Sequence, residues 1–427
     1  MSAAPHQDIV IITAGGAGMF CGACIEDNKL AQALIQLGHS VSLIPLYTPL
    51  RLDEKSFAEQ QIFMGGINIY LNQNLPGWKS IPRWMNRWLD NPKIIKLATS
   101  MGVSNDAQNL GELTLSMLRG AAGPQARLIN ELADFIASHY DPRVIIFSNL
   151  LVSGAAPVMR KRFNCPIYSF IQGDDVFLDQ LQPAYKTQAV KMIHENQTAY
   201  TGFLYHSDFY RTYMSEYLGL DTAQGHLLPL GISPADIPRH HPHRSKPWTI
   251  GYFARIAPEK GLLPLVHAFK KFHALNPDSR LVVGGYLNSS QHKYFAEVQQ
   301  AAKSLGSAFD YRGSPNTEAE KSEIMQDMDV LTVPAVFQEP KGIYVLEAWM
   351  HGIPVVLPDR GAFPEMVHAT QGGLLYPPDA TEQLLEHWQL LKDDPVVYEQ
   401  YSQAAYVNMR KFYSNTETAK ALLRIVT

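Results

Sequence analysis

An α/β protein built from two parallel-sheet domains is predicted by three observations. The chain opens as strand, glycine loop, helix and second strand. A strand–helix alternation restarts near residue 248 and runs almost to the end. Between them, "HLLPLGISPADIPRHHPHRSKPW" (226–248) is rich in proline and histidine and has no apolar periodicity, so it reads as a linker. A chain of 427 residues also exceeds one compact domain.

The opening unit is "DIVIITAGGAGMF", an apolar run ending in glycines. "IEDNKLAQALIQLGH" follows at helical spacing with Leu30, Leu34 and Leu37 on one face, and "SVSLIPLY" is a second buried strand. Together they make a βαβ unit. Residues 51–140 are less regular. They include "NQNLPGWKSIPRWMNRWLDNP", which holds Trp78, Trp84 and Trp88, and two helical stretches, "LGELTLSMLRG" and "ARLINELADFIASHY". Strands return at "RVIIFSN", "PIYSFIQ" and "TGFLYHS".

Past the linker, "TIGYFAR", "SRLVVGGY", "FDYRG", "DVLTVPA" and "IPVVLP" read as strands separated by helices. Such alternation predicts a parallel sheet covered on both faces. Two Rossmann-like domains facing each other are expected, with ligand at the strands' carboxyl ends in the cleft between them.

Composition is that of a folded globular chain, 46% hydrophobic and 18% charged. A net charge of −4, from 36 Lys+Arg against 40 Asp+Glu, argues against a nucleic-acid binder. There is neither a bilayer-length apolar run nor a basic region ahead of the first apolar stretch. A cytoplasmic location is expected, with peripheral association at the inner face of the membrane kept open. Three cysteines make no disulfide framework. "CGAC" (21–24) has the spacing of a redox motif at a helix start, but small-residue packing is the expected role.

The chemistry concentrates in the second half. In "GYFARIAPEKG" (251–261), Arg255 lies just past a strand and Lys260 just before a helix. Two cations beside free amides are what a diphosphate needs, although a solvated loop pair would look the same. In "EPKGIYVLEAWMHGIPVV" (339–356), Glu339 precedes a helix and Glu347 lies more than a turn inside it. A buried unpaired glutamate is costly, so two such residues at one helix start point to a ligand, with a capping carboxylate at Glu339 and a stray buried Glu347 as the alternative. Glu339 suits hydroxyls beside a bound anion, and Glu347 suits a vicinal diol. No metal-ligand cluster stands out.

These stretches resemble the GT-B glycosyltransferases of family 4. The segment from Glu339 matches E-x-x-G-x-x-x-L-E-A-x-x-x-G-x-P-V-V. "RGAFPEMV" (360–367), "GGLLYP" (372–377), "GYFARIAPEKGLLPLVHAF" and the N-terminal glycine loop follow the family's other landmarks in order. The resemblance covers nearly the whole chain and implies a GT-B fold. Residues 1–230 would bind the acceptor, residues 231–410 the donor, and a final helix, about 411–427, would cross back to the first domain.

The resemblance implies a retaining transfer of sugar from a nucleotide-sugar, UDP- or GDP-linked, with no cofactor and no metal. Arg255 and Lys260 would hold the diphosphate. Glu347 would hold the ribose, and Glu339 the transferred sugar beside the amides of Gly342 and Ile343. Gly16 would approach the phosphates, and Ser314 of "RGSPN" the base. The leaving diphosphate would help deprotonate the acceptor. A catalytic role thus falls to Glu339, Arg255 and Lys260.

There are departures from the family. Asn149 stands where many members have histidine, and Gln172 at another such place. Lys341 adds a charge at the sugar end, expected to face solvent. Asn149, Gln172, Asp174 and Asp175 are the acceptor-side candidates, the aspartates with a helix-cap or turn role as their alternative. The acceptor is open among glycan, lipid and small metabolite. A non-catalytic nucleotide-sugar binder on the same fold is the main competing reading. An NAD-dependent oxidoreductase is disfavoured, because the first unit lacks a full G-x-G-x-x-G and an acidic end to its second strand.

Overall fold

The computed structural model describes residues 6–13, 22–46, 110–233, 247–315 and 317–426. Gly16, Cys21 and the segment bearing Trp78, Trp84 and Trp88 lie outside them. The chain divides into two compact units, Met1–Pro229 with Thr418–Thr427, and Leu230–Glu417.

The first unit has a six-stranded sheet in the order β2-β1-β3-β4-β5-β6. Its strands are β1 (His6–Thr13), β2 (Val41–Pro45), β3 (Asp141–Phe147), β4 (Ile167–Ile171), β5 (Gly202–Tyr205) and β6 (Gly225–Leu227). Every pairing is parallel. β1 shows why the sequence reads as an unbroken apolar run. Val10 and Ile12 enter the core on one face of the sheet, Ile9 and Ile11 the core on the other. Side chains alternate along a strand, so a sheet covered on both sides needs apolar residues at every position. The second core also takes in Ala419 and Leu422 of the final helix, Asn415–Val426.

β6 corrects the linker reading. Residues 225–227 pair with Phe203–Tyr205 and belong to the sheet. Three half-exposed residues at a sheet edge are held by backbone hydrogen bonds and carry no readable alternation.

The second unit repeats the plan, in the order β12-β11-β10-β7-β8-β9. Its strands are β7 (Trp248–Phe253), β8 (Ser279–Gly284), β9 (Phe309–Tyr311), β10 (Val330–Leu331), β11 (Val355–Pro358) and β12 (Gly373–Tyr376). All pairs are parallel. β7 leads outward to β8 and β9, whereas β10 leads the opposite way to β11 and β12. The switch point therefore falls between β7 and β10, where open parallel sheets take ligands at their carboxyl ends.

The cysteines also depart from expectation. Cys24, in the helix Gly22–Gln36, is disulfide-bonded, and buried Cys165 is free. Among the described residues, no helix is long and apolar enough to cross a membrane.

Candidate donor site at the second switch point

Two loops meet past the carboxyl ends of β7 and β10. After β7, Pro258–Lys260 forms one 3₁₀ turn, closed by Gly261 at φ 74°. A side chain at Gly261 would place its Cβ 2.0 Å from the Pro334 carbonyl oxygen, so the β7 loop packs directly on the β10 loop. The Val336 amide donates to the Glu259 carbonyl at 2.9 Å and fixes that contact.

This packing brings Lys260 to Glu339. Lys260 Nζ lies 2.5 Å from Glu339 Oε2, with side chains only 12% and 5% exposed. Tyr344 donates its hydroxyl to the same oxygen at 2.6 Å, and the Gly342 amide donates to Oε1 at 3.3 Å. Lys260 Nζ also lies 4.6 Å from the Phe337 ring centroid and 5.2 Å from that of Tyr344. Burial pushes the Glu339 carboxyl up, and the charge and hydrogen bond of Lys260 pull it down. With the Tyr344 and Gly342 hydrogen bonds, the net shift is downward and the group is ionised. Burial, then the Glu339 charge, raises Tyr344, which stays a neutral donor.

Glu339 is gripped from behind as well. Gly361, at φ 62°, lies so close that a Cβ there would sit 2.6 Å from both the amide nitrogen and the carbonyl oxygen of Glu339. The Ala362 amide donates to the Glu339 carbonyl at 2.8 Å. Arg360 caps the loop by donating to the Val336 carbonyl. Gly342, at φ 63°, is the N-cap of the helix Ile343–Met350 and opens that helix's first amides beside the carboxylate.

Glu347 sits one turn further on. Tyr344, Val345, Leu346, Ala348, Trp349 and Met350 of that helix are buried, and Glu347 projects from the remaining face. Its Oε1 accepts from Lys321 Nζ at 2.8 Å. Arg255 is half exposed and pairs with Glu259 at 2.5 Å. Ser314 is exposed in the loop after β9. The structure thus gathers Lys260, Glu339, Gly342 and the start of the Ile343 helix into one cluster, with Glu347 a turn away. Arg255 turns toward its own loop. Tyr344, Phe337 and Lys321 went unread in the sequence. Lys321 is three residues from Glu318 in a helix, which looks like an ordinary surface ion pair.

The acceptor-side candidates cluster at the carboxyl ends of β3 and β4. The Gln172 side-chain Nε2 donates to the Ser148 carbonyl at 2.6 Å. Asn149 caps the short helix after β3, accepting from the Leu151 amide at 3.1 Å. Asp174 accepts from the amides of Leu150 at 3.3 Å and Gln172 at 3.1 Å. Burial pushes its carboxyl up to about 6. Asp175 accepts the Tyr210 hydroxyl at 2.5 Å. Both aspartates are therefore engaged inside the fold. His206, after β5, stacks on Phe170 and lies 3.5 Å from Gln172 Oε1. No sequence signal set it apart.

Residues 235–408 match the family model of glycosyl transferases group 1. A phosphatidyl-myo-inositol mannosyltransferase of Mycolicibacterium smegmatis is 28% identical over 177 residues, 40% of this chain and 43% of that protein. The match thus spans less than half of that relative's length. The sucrose-phosphate synthase of Thermosynechococcus elongatus shares the fold at TM-score 0.69 and 16% identity, over 98% of each chain. Anabaena HepE, solved in complex with UDP, shares it at TM-score 0.66 and 13% identity, over 98% of this chain and 99% of that one. The fold is that of the GT-B glycosyltransferases, as the sequence led us to expect. The residues that match that family model contain the whole Lys260–Glu339–Glu347 constellation.

Proposed function

We propose that this chain is a glycosyltransferase that moves a sugar from a nucleotide-sugar donor to an acceptor hydroxyl. The observation that carries this reading is the buried Lys260–Glu339 pair beside the open N-terminus of the Ile343–Met350 helix, at the switch point of the sheet within the residues that match the group 1 family model. An anion at that point would meet Lys260, the helix amides and, after rotation away from Glu259, Arg255. Glu339 would accept hydrogen bonds from hydroxyls of the transferred sugar. Catalysis would consist of positioning the sugar and stabilising charge on the leaving diphosphate.

In the finer reading, transfer proceeds with retention and without metal, the cations taking up the leaving charge. A uridine diphosphate donor has support from the UDP bound in HepE. The acceptor would meet the Asn149 and Gln172 side of the first unit. Residues 1–230, with the final helix, would be the acceptor domain, and 231–410 the donor domain. The acceptor is open among glycan, lipid and small metabolite, and a lipid accords with the name of the phosphatidyl-myo-inositol mannosyltransferase.

Asn149 serves as a helix cap, which favours a second reading, a nucleotide-sugar binder without turnover. The test is nucleoside diphosphate release from UDP-glucose, GDP-mannose and ADP-glucose with a panel of sugar, polyol and lipid acceptors. Acceptor-dependent release with linkage analysis of the product supports transfer with retention. Binding without release supports the second reading.

A further inference from the structure

The first sheet has a switch point of its own, between β1 and β3, since β1 leads to β2 on its other side. Thr13 ends β1, and Ser148 follows β3 directly. The Ser148 amide donates to the Ile12 carbonyl at 2.9 Å, so the β1–β3 ladder runs on to this pair. Ile11 and Ile146, two residues earlier on each strand, enter one core, and by strand alternation Thr13 and Ser148 share its face. Both are buried, at 0% and 1% exposure. Among the described residues, neither Thr13 Oγ1 nor Ser148 Oγ has a hydrogen-bond partner.

Two polar side chains continue the row past β4 and β5. Gln172 Nε2 donates to the Ser148 carbonyl, which turns Gln172 Oε1 toward His206. His206 stacks on Phe170, a member of the same core. Its Nδ1 lies 3.0 Å from the Leu228 carbonyl. Its Nε2 lies 3.5 Å from Gln172 Oε1 and 3.8 Å from Glu26 Oε2. Oxygen acceptors face both ring nitrogens, so both carry hydrogen and the ring is a cation. Glu26 balances that charge, and Asp174 sets another carboxylate against the Gln172 amide. The row thus has no surplus positive charge for a phosphate, and its hydroxyls suit no acyl chain.

Buried polar groups are nearly always bonded, and an unbonded one lowers stability. Two such hydroxyls on neighbouring strands, at the carboxyl end of a parallel sheet, point to a ligand that completes them. A hydroxyl both donates and accepts, so another hydroxyl is its natural complement. We propose that Thr13, Ser148 and Gln172 bind a neutral polyhydroxyl acceptor, either a free polyol or the terminal sugar of a glycan. His206 is a positioning residue that holds the Gln172 amide. Asn149 and Gln172, both partly exposed, give the row its opening to solvent. The acceptor role rests on the transferase reading above and names the acceptor's chemical class; the binding site itself does not depend on that reading.

The test is ligand-observed NMR binding, without and with UDP, of glucose, myo-inositol, glycerol and maltotriose. Glucose 6-phosphate and phosphatidylglycerol vesicles represent the competing classes. Wild type, Thr13→Val, Ser148→Ala and Thr13→Ser are compared, and each is also unfolded in urea. At least one neutral compound should bind the wild type, maltotriose foremost for a glycan end and a monomeric polyol foremost for a free one. Thr13→Val and Ser148→Ala should weaken it roughly tenfold or more, and Thr13→Ser should keep it. The urea midpoints of Thr13→Val and Ser148→Ala should stay level or rise, because an apolar group replaces an unmet hydroxyl. A lowered midpoint with undiminished binding would mean that the hydroxyls hold an ordered water only, and would overturn the proposal. So would preference for glucose 6-phosphate or the vesicles, or no binding of any neutral compound. A wild type that binds a polyol here yet releases no nucleoside diphosphate from UDP-glucose, GDP-mannose or ADP-glucose would overturn the transfer reading and leave the binding site standing.

Discussion

Lys260 Nζ and Glu339 Oε2 stand 2.5 Å apart across 79 residues of sequence, nearly closed off from solvent. Removing one partner strands a charge in a place with little water, and this is expected to cost about 3–5 kcal/mol. Glu339→Ala should therefore lower the urea midpoint strongly. Adding Lys260→Met to it should cost less than the sum of the two single changes. Full additivity in a double-mutant cycle would mean that the pair is not coupled.

Acid should weaken the same contact. The folded Glu339 carboxyl lies below its ordinary value of 4.5, so its contribution is complete above that pH. The contribution is lost as pH falls through the folded value. The stability difference between wild type and Glu339→Gln should then shrink below about pH 4.5 in denaturant titrations. A difference that stays constant with pH would show that the charge has no part in it.

Asp174 should behave in the opposite sense. Burial holds its carboxyl near 6 against an ordinary 3.8, so between these values the folded chain keeps a proton that the unfolded chain has lost. Its contribution to stability declines as pH rises over that window. Carboxyl-carbon NMR should show the Asp174 resonance titrating with a midpoint about two pH units above that of an exposed aspartate. An ordinary midpoint would contradict the burial argument.

Gly361 tests the cradle around Glu339 without touching its carboxyl. Alanine there would be strained at φ 62°, by about 1–2 kcal/mol. Its Cβ would also push on the Glu339 backbone. Gly361→Ala should destabilise by more than about 1 kcal/mol and weaken nucleotide-sugar binding. Normal binding with lowered stability would separate the cradle from the site.

Much of this was legible in the sequence for a physical reason. Parallel strands covered on both sides must be apolar throughout, so β1, β3 and β7 announce themselves. Lys260, Glu339 and Gly342 could be read because each breaks a local rule, a charge or a glycine where a buried helix begins. Tyr344 could not, since a tyrosine in an apolar helix looks like core until its hydroxyl is seen to reach Glu339. Lys321 could not, since its partner Glu347 is 26 residues away and only the fold joins them. β6 was lost because three residues carry no period. Cys24 was misread because a buried cysteine among small residues gives no local sign that it is disulfide-bonded.

The most direct test of the central claim is a thermal-shift titration with UDP-glucose, GDP-mannose and ADP-glucose, run on wild type, Lys260→Ala and Glu347→Ala. A ligand at about 100 times its dissociation constant should add roughly 2.7 kcal/mol of stability to the wild type. Each variant, still folded, should show a much smaller gain. Stabilisation by none of the three, or an undiminished gain in both variants, would contradict the assignment of the donor site to Lys260, Glu339 and Glu347.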